Sequence, residues 1–541
     1  MSLTPWQIRG LALAAGLLAA LAFPPFGILP GIAGYGLLLW LLGREPDLRP
    51  RRAFLYGWLA GLGYFAVGVW WVTEAFLVEA EIHGWMAPFA LVFLAGGLAL
   101  FWGLAAAGFA VVSRGGWSRI FIFAALLSGC EWLRGHVLSG FPWNLPGETW
   151  ATGSAPSQLA SVIGAYGLSY VTIALGAAPG LWPDLKGVKA RGALVAACCL
   201  VLAGLYGWGE ARLAAAPKAG ADAPMIRLVQ ADIDQKEKWR PENLQAILKT
   251  YLTLSASPGA RRPDVIVWPE GALPAVIDDL IYPDSPFLEG LGKALRPGQT
   301  LMMGTNRVSP KLEGGYIYYN SLIALRRDPS APMDGFRLTG VYDKNRLVPF
   351  GEFLPLSPLA TRLGLRILVH MPEDFTPGPT PAPITPLGVP PVQPLICYEA
   401  LFPGLSGKVG SRPAWLLNIS NDAWFGATSG PWQHLNIAGY RAIEAGLPIA
   451  RSTPTGVTTM IDAFGRPGPS LGLGRMGVID AVLPPALPKT PYAKWGDLFL
   501  ALMILASALA EIVARLRGKS GPTDSEKPIS PAAGSDIRTS L

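Results

Sequence analysis

Three residues in the second half of the 541-residue chain have types and settings suited to covalent chemistry. Cys397 closes the apolar run Pro394-Leu395-Ile396 and precedes Tyr398-Glu399-Ala400-Leu401-Phe402-Pro403. A thiol at the end of a buried strand is held on a rigid element near its rim. That suits a nucleophile whose pKa is set by its neighbours. By itself the same thiol also reads as a small buried hydrophobe. Glu270 follows Val267-Trp268-Pro269 and precedes Gly271. A carboxylate fixed after a buried strand suits a general base, although an isolated glutamate there is also an ordinary turn residue. Lys344 lies in Tyr342-Asp343-Lys344-Asn345-Arg346-Leu347-Val348-Pro349-Phe350-Gly351-Glu352-Phe353. It is suited to hold a thiolate and stabilise an oxyanion, or else to sit exposed in a turn.

The elements that must position these residues are legible between about 222 and 488. Short apolar strands are expected at 225–230, 264–268, 301–304, 321–325, 414–419 and 456–461, with another ending at Cys397. Helical patterns fall near 241–256 and 431–446. Strands interspersed with helices predict a layered α/β domain.

The rest of the chain is of another kind. Hydrophobic residues make up 51% and charged residues 15%, against roughly 25% charged in ordinary soluble domains. Mean hydropathy is +0.35. Apolar runs long enough to cross a bilayer are expected at about 6–23, 27–43, 53–77, 87–112, 119–137, 157–182, 192–209 and 495–514. This gives a seven-span membrane domain over 1–215, a soluble domain over 222–488, a last span at 495–514 and a disordered tail over 518–541. Lysine and arginine gather after the even-numbered spans, in Arg44, Arg49, Arg51 and Arg52, then Arg114 and Arg119, then Lys186, Lys189 and Arg191, then Arg515, Arg517 and Lys519. The positive-inside rule then places both termini in the cytoplasm and the soluble domain outside it. Glu74, Glu131, Arg134 and His136 lie at membrane depth by sequence, where ionisable groups are costly. The expectation is that those near span ends reach to the interface.

The net charge of +7 is modest, and aromatic residues are not interleaved with basic clusters, which argues against nucleic-acid binding. Of four cysteines, Cys130, Cys198 and Cys199 lie in apolar segments, leaving Cys397 without a disulfide partner in the soluble part. No Cys/His grouping has metal-ligand spacing, and no cofactor motif is present.

Together the WPE, DKN…PFGE and CYE motifs resemble the nitrilase superfamily, whose mark is a Glu–Lys–Cys triad. The added membrane spans are similar to its membrane-integrated branch, the apolipoprotein N-acyltransferases of the bacterial inner membrane. The resemblance implies an αββα sandwich on the periplasmic side, with no cofactor. It implies transfer of an acyl chain from a phospholipid to the α-amine of a diacylglyceryl-cysteine on an apolipoprotein, through a cysteine thioester. Glu270 would be the base, Lys344 the oxyanion and thiolate stabiliser, and Cys397 the nucleophile. Glu352, Tyr398, Glu399, Trp239 and Asn320 match supporting or substrate-binding positions. A monomer is expected. The segment 354–371, apolar and punctuated by proline, with Arg362 and Arg366, is expected to form a lid or interfacial arm.

Three other readings stay open at this stage. One is a tethered amidase using the same triad on a small soluble amide. Another is a transporter or channel with an inert outer domain. The third is a cysteine–histidine hydrolase using His370 or His434, which requires a histidine close to Cys397.

Overall fold

The computed structural model describes residues 3–45, 47–113, 115–311, 314–355, 362, 374–406 and 410–519. Most of the segment expected to act as a lid, His370, and the tail beyond 519 therefore lie outside the described residues.

The N-terminal half is helical. Its main helices are α1 (Pro5–Ala20), α2 (Ala33–Gly43), α3 (Pro50–Gly68), α4 (Ala87–Val112), α5 (Arg119–His136), α6 (Ala160–Ala177) and α7 (Gly187–Ala214). Four described stretches are long and apolar enough to cross a membrane: Ala80–Val112, Pro156–Asp184, Gly187–Ala214 and Leu498–Leu516. This is a membrane protein. Close helix approach rests on small residues, as expected where lipid gives no hydrophobic drive between helices. A Cβ on Gly57 of α3 would come within 2.4 Å of the Trp102 carbonyl oxygen of α4, and one on Gly61 within 2.9 Å of Ala99 Cα.

Two sequence expectations are corrected here. The third apolar run does not form one helix: α3 stops at Gly68, and a separate short helix covers Val72–Leu77. Glu131 and Arg134 do not reach to the interface. They are fully buried and paired with each other. Trp102 Nε1 donates to Glu131 at 2.8 Å, and Arg134 also donates to the Phe141 carbonyl. A buried charge is tolerable only when paired and hydrogen-bonded in this way. His136, at the end of α5, is exposed.

The second half is built on two sheets. The first has the order β11-β1-β2-β3-β4-β5, from β1 (Met225–Gln230), β2 (Val265–Trp268), β3 (Thr300–Pro310), β4 (Tyr316–Arg327), β5 (Phe336–Asp343) and β11 (Gly477–Val482). The second has the order β10-β9-β8-β7-β6, from β6 (Val392–Ile396), β7 (Trp415–Ile419), β8 (Ile449–Ser452), β9 (Thr458–Ile461) and β10 (Pro467–Leu471). β1, β2 and β3 run parallel, as do β6, β7 and β8. Parallel strands buried on both faces read as continuous apolar runs, which is how Val265–Trp268 appears in the sequence, and Trp415–Ile419 is broken only by Asn418. The sheets pack face to face through Ile226, Val267, Met302, Ile396, Leu417 and Ala450. Helices α8 (Leu244–Ala256) and α9 (Pro286–Ala294) cover the outer face of the first sheet. Helix α10 (Gly430–Ala445) covers the second and packs on the membrane helices in one continuous core. The result is an α/β sandwich of nitrilase type, seated on a helical membrane region.

Candidate active site

Three strand ends converge at one point. β2 ends just before Glu270, β5 ends at Asp343 just before Lys344, and β6 ends at Ile396 just before Cys397. Pairing of β4 with β5 sets Ser321 opposite Asp343, and the Lys344 N–H donates to the Asn320 carbonyl at 2.8 Å. Asn320 and Lys344 therefore enter the site together.

Lys344 is 1% exposed and bridges two carboxylates. Its Nζ lies 3.2 Å from Glu270 Oε1 and 2.9 Å from Glu352 Oε1. Asn320 Nδ2 donates to the same two oxygens at 2.7 Å each. Glu270 Oε2 accepts from the Asn421 N–H at 2.7 Å, and Glu352 Oε2 from the Val348 N–H at 2.8 Å. Burial would raise the pKa of Glu270. The Lys344 charge and the Asn320 and Asn421 donors overcome that and leave it lowered, so Glu270 is an anion at rest. Burial opposes the charge on Lys344, but Glu270 and Glu352 outweigh it and its pKa rises.

Cys397 has φ +48°, a left-handed conformation uncommon for a residue with a Cβ. It opens a turn of 3-10 helix, Cys397–Leu401, so the thiol is presented on a sharp strand-to-helix bend. Burial and then the Glu270 charge push the thiol pKa up, while Lys344 and a hydrogen bond with Ser420 pull the other way. At rest Cys397 is a neutral thiol beside an ionised carboxylate.

Glu399 lies behind the thiol and is fully buried. Its Oε1 accepts from Tyr342 Oη (2.8 Å), the Asn345 N–H (2.9 Å) and the Arg346 N–H (3.3 Å). Its Oε2 accepts from the Ile396 N–H (2.9 Å). One carboxylate thus ties the loop carrying Lys344 to the strand end carrying Cys397. The Tyr398 hydroxyl donates to the Gly140 carbonyl in the loop after α5, joining the turn that carries Cys397 to the membrane helices.

Trp239 is 48% exposed and makes no hydrogen bond to the cluster. Its ring lies 5.7 Å from the ammonium of Lys238. Sequence reasoning passed over Lys238 itself, which is 3% exposed. Burial lowers its pKa to about 8, against the opposing pull of Glu270. The Gln235-Lys236-Glu237-Lys238 run reads as surface, and nothing in its pattern marks one lysine as buried. His434, a candidate partner for Cys397 by sequence, is fully buried with Asp422 and Arg451, which the sequence does not single out. His434 Nδ1 lies 2.9 Å from Asp422 Oδ1, and its Nε2 lies 3.3 Å from the Cys397 carbonyl oxygen. His434 is thus near Cys397, but it bonds the peptide and not the sulfur. Burial would raise the pKa of Asp422, and the Arg451 charge together with His434 holds it at about 2.

The chain was compared with known proteins. Residues 15–178 match the family model described as apolipoprotein N-acyltransferase N-terminal domain, and residues 225–488 that described as carbon-nitrogen hydrolase. A Caulobacter vibrioides protein named apolipoprotein N-acyltransferase is 50% identical over 521 residues, covering 95% of each chain. Proteins of the same name from Bradyrhizobium diazoefficiens and Rhodopseudomonas palustris are each 36% identical, over 531 and 526 residues. The alignments cover 94% and 95% of this chain, and 96% and 95% of those relatives.

Proposed function

The chain belongs to the apolipoprotein N-acyltransferase family, and from that premise we propose that it moves an acyl chain from a membrane phospholipid to the N-terminal amine of a diacylglyceryl-cysteine on an apolipoprotein, through a thioester on Cys397. The observation that carries this reading is the meeting of Glu270, Lys344 and Cys397 at three strand ends, on a domain that packs directly on apolar helices.

In the first half-reaction the Cys397 sulfur attacks the donor ester carbonyl as the thiol proton passes to Glu270. The thiol pKa is raised and that of Glu270 lowered, so complete prior ionisation is uphill. Proton transfer therefore accompanies attack. Lys344 offsets the charge that develops on the carbonyl oxygen. The ester C–O bond breaks, and Glu270 returns the proton to the leaving lysophospholipid. In the second half the acceptor amine forms the amide bond, its proton goes to Glu270, and the C–S bond breaks to regenerate the thiol. This is ping-pong covalent catalysis.

The site faces outward in this reading. Tyr398, Asn436 and Tyr440 all bond the loop between α5 and α6, at Gly140, Glu148 and Gly147. The sets expected on the cytoplasmic side meet at the other ends of the helices. Arg119 pairs with Asp184, Ser118 donates to Glu511, and Arg515 donates to the Val112 carbonyl. These contacts support cytoplasmic termini and a periplasmic catalytic domain.

The test is the intact mass of the detergent-purified protein after incubation with phospholipid. One acyl chain is expected to appear, to leave with neutral hydroxylamine, and to be absent in Cys397→Ala. A folded wild-type protein that gains no adduct would sink the proposal.

A further inference from the structure

A cavity of about 40 Å3 lies outside the carboxylate–lysine–thiol cluster, where the catalytic domain meets the membrane helices. Gly135 and His136 at the end of α5, Tyr166 on α6, Arg346 and Phe402 form most of its wall. Arg346 is two residues beyond Lys344, and Phe402 is five beyond Cys397. The cavity is thus walled by the same two loops that carry the proposed chemistry.

Its polar groups are uncommitted. Tyr166 is 1% exposed, yet its hydroxyl has no hydrogen-bond partner among the described residues. A buried hydroxyl without a partner is costly, and each such case asks for an explanation. Space for that hydroxyl is kept by Gly135, where a Cβ would lie 1.9 Å from Tyr166 Oη. The guanidinium of Arg346 stacks over the Phe402 ring at 5.0 Å and pairs with no carboxylate among the described residues. His136 Nδ1 is 2.8 Å from the Trp132 carbonyl, so Nε2 is the nitrogen left for a ligand. Among the described residues no acidic side chain lines the wall.

We propose that this cavity receives the phosphodiester of the acyl donor. Arg346 and Tyr166 Oη donate to phosphate oxygens. The inference rests on the acyl-transfer reading and adds to it the group by which the donor is held. Arginine with a neighbouring hydroxyl is suited to an anion of this geometry, while a cationic amine acceptor is disfavoured beside Arg346. About 40 Å3 has room for two or three waters. One or two phosphate oxygens can displace these while the rest of the headgroup stays at the mouth. The glycerol carbons then span from the phosphate toward the ester at Cys397.

The experiment compares acylation of the protein by phosphatidylglycerol and by diacylglycerol with the same chains, in mixed micelles. Intact mass gives the rate, and a thermal melt confirms folding. The wild type is expected to prefer the phospholipid. In Arg346→Gln the phospholipid-to-diacylglycerol rate ratio is expected to fall about tenfold or more, the size of a lost charged hydrogen bond. Tyr166→Phe should lower the ratio by a smaller factor, and Arg346→Lys, which keeps the charge, should retain most of it. Ratios unchanged in Arg346→Gln and Tyr166→Phe would overturn the site while leaving acyl transfer intact. No adduct from either donor in the wild type would overturn acyl transfer itself, and the site with it. Millimolar inorganic phosphate is expected to leave the wild-type ratio unchanged. A loss of preference on adding it, absent in Arg346→Gln, would assign the cavity to free phosphate and overturn the headgroup assignment.

Discussion

At Lys344 one ammonium serves two buried carboxylates, and this sets what its removal does. In Lys344→Ala, Glu270 and Glu352 are left charged in the interior with only neutral donors. Leaving a buried charge without its partner costs about 3–5 kcal/mol. In the proposed reaction Lys344 also offsets the oxyanion charge, and loss of such a group costs about 100–1,000-fold in rate. Stability and acyl-adduct formation should therefore both fall. The two effects separate in the double variant Lys344→Ala with Glu352→Gln. Removing one carboxylate should recover part of the melting temperature and none of the rate. Thermal melts beside adduct kinetics measure this. If the double variant melts no higher than Lys344→Ala, repulsion between the carboxylates is not what destabilises the single variant.

Between elements, Glu399 couples the Lys344 loop to the Cys397 strand end through four donors. In Glu399→Gln the amide offers one acceptor oxygen, and its NH2 must face an N–H or the Tyr342 hydroxyl. At least one buried donor loses its partner, at a cost of about 1–3 kcal/mol. The expected result is a lower melting temperature and slower thioester formation in a protein that still folds. Wild-type adduct kinetics in the Glu399→Gln variant would mean that the coupling does not position the thiol. Much of this level was legible in the sequence. The strands expected at 225–230 and 414–419 are found as β1 and β7, their apolar residues outweighing Arg227, Gln230 and Asn418, and α4 occupies the same residues as the apolar run. What was not legible has physical causes. β10 is the exposed edge Pro467-Gly468-Pro469-Ser470-Leu471, which reads as a turn. β8 carries Arg451, whose charge hides a strand until Asp422 is known to meet it. Glu131 and Arg134 are three apart on one helix, a spacing that brings side chains together. That cue pointed to a buried pair, and reading the two residues singly missed it. At the site, the strand ends announced Glu270, Lys344 and Cys397. Lys238 and Asn421 enter only through tertiary contacts, and His434, a candidate by sequence, meets the Cys397 carbonyl and not its sulfur.

At the scale of the whole molecule, the catalytic domain and the membrane helices meet through charge as well as apolar packing. Helix α6 breaks at Gly164, with φ +70°, and the Ala165 N–H donates across the junction to Glu444 Oε1 of α10 at 2.8 Å. Arg441 lies between Glu444 and Glu148, the latter in the loop between α5 and α6. Its Nε is 3.0 Å from Glu444 Oε2 as an ion pair, without hydrogen-bond alignment. One arginine thus faces two buried carboxylates. Burial raises Glu148 to about 8 against the pull of Arg441, and burial raises Glu444 to about 7 against the same arginine. Both folded values lie above the ordinary 4.5. The folded state therefore holds protons that the unfolded chain releases. The stability these groups contribute is fully present below about pH 4.5 and is lost as pH rises through 7 and 8. For Glu444 the displacement corresponds to on the order of 3 kcal/mol. The melting temperature in detergent is expected to fall between pH 6 and pH 9. That fall should shrink in Glu444→Gln, where an uncharged amide can still accept from Ala165, and in Glu148→Gln. Tryptophan-fluorescence melts of the three proteins at both pH values decide the matter. An identical fall in all three would place the pH sensitivity elsewhere and leave the junction held by its apolar core and neutral hydrogen bonds.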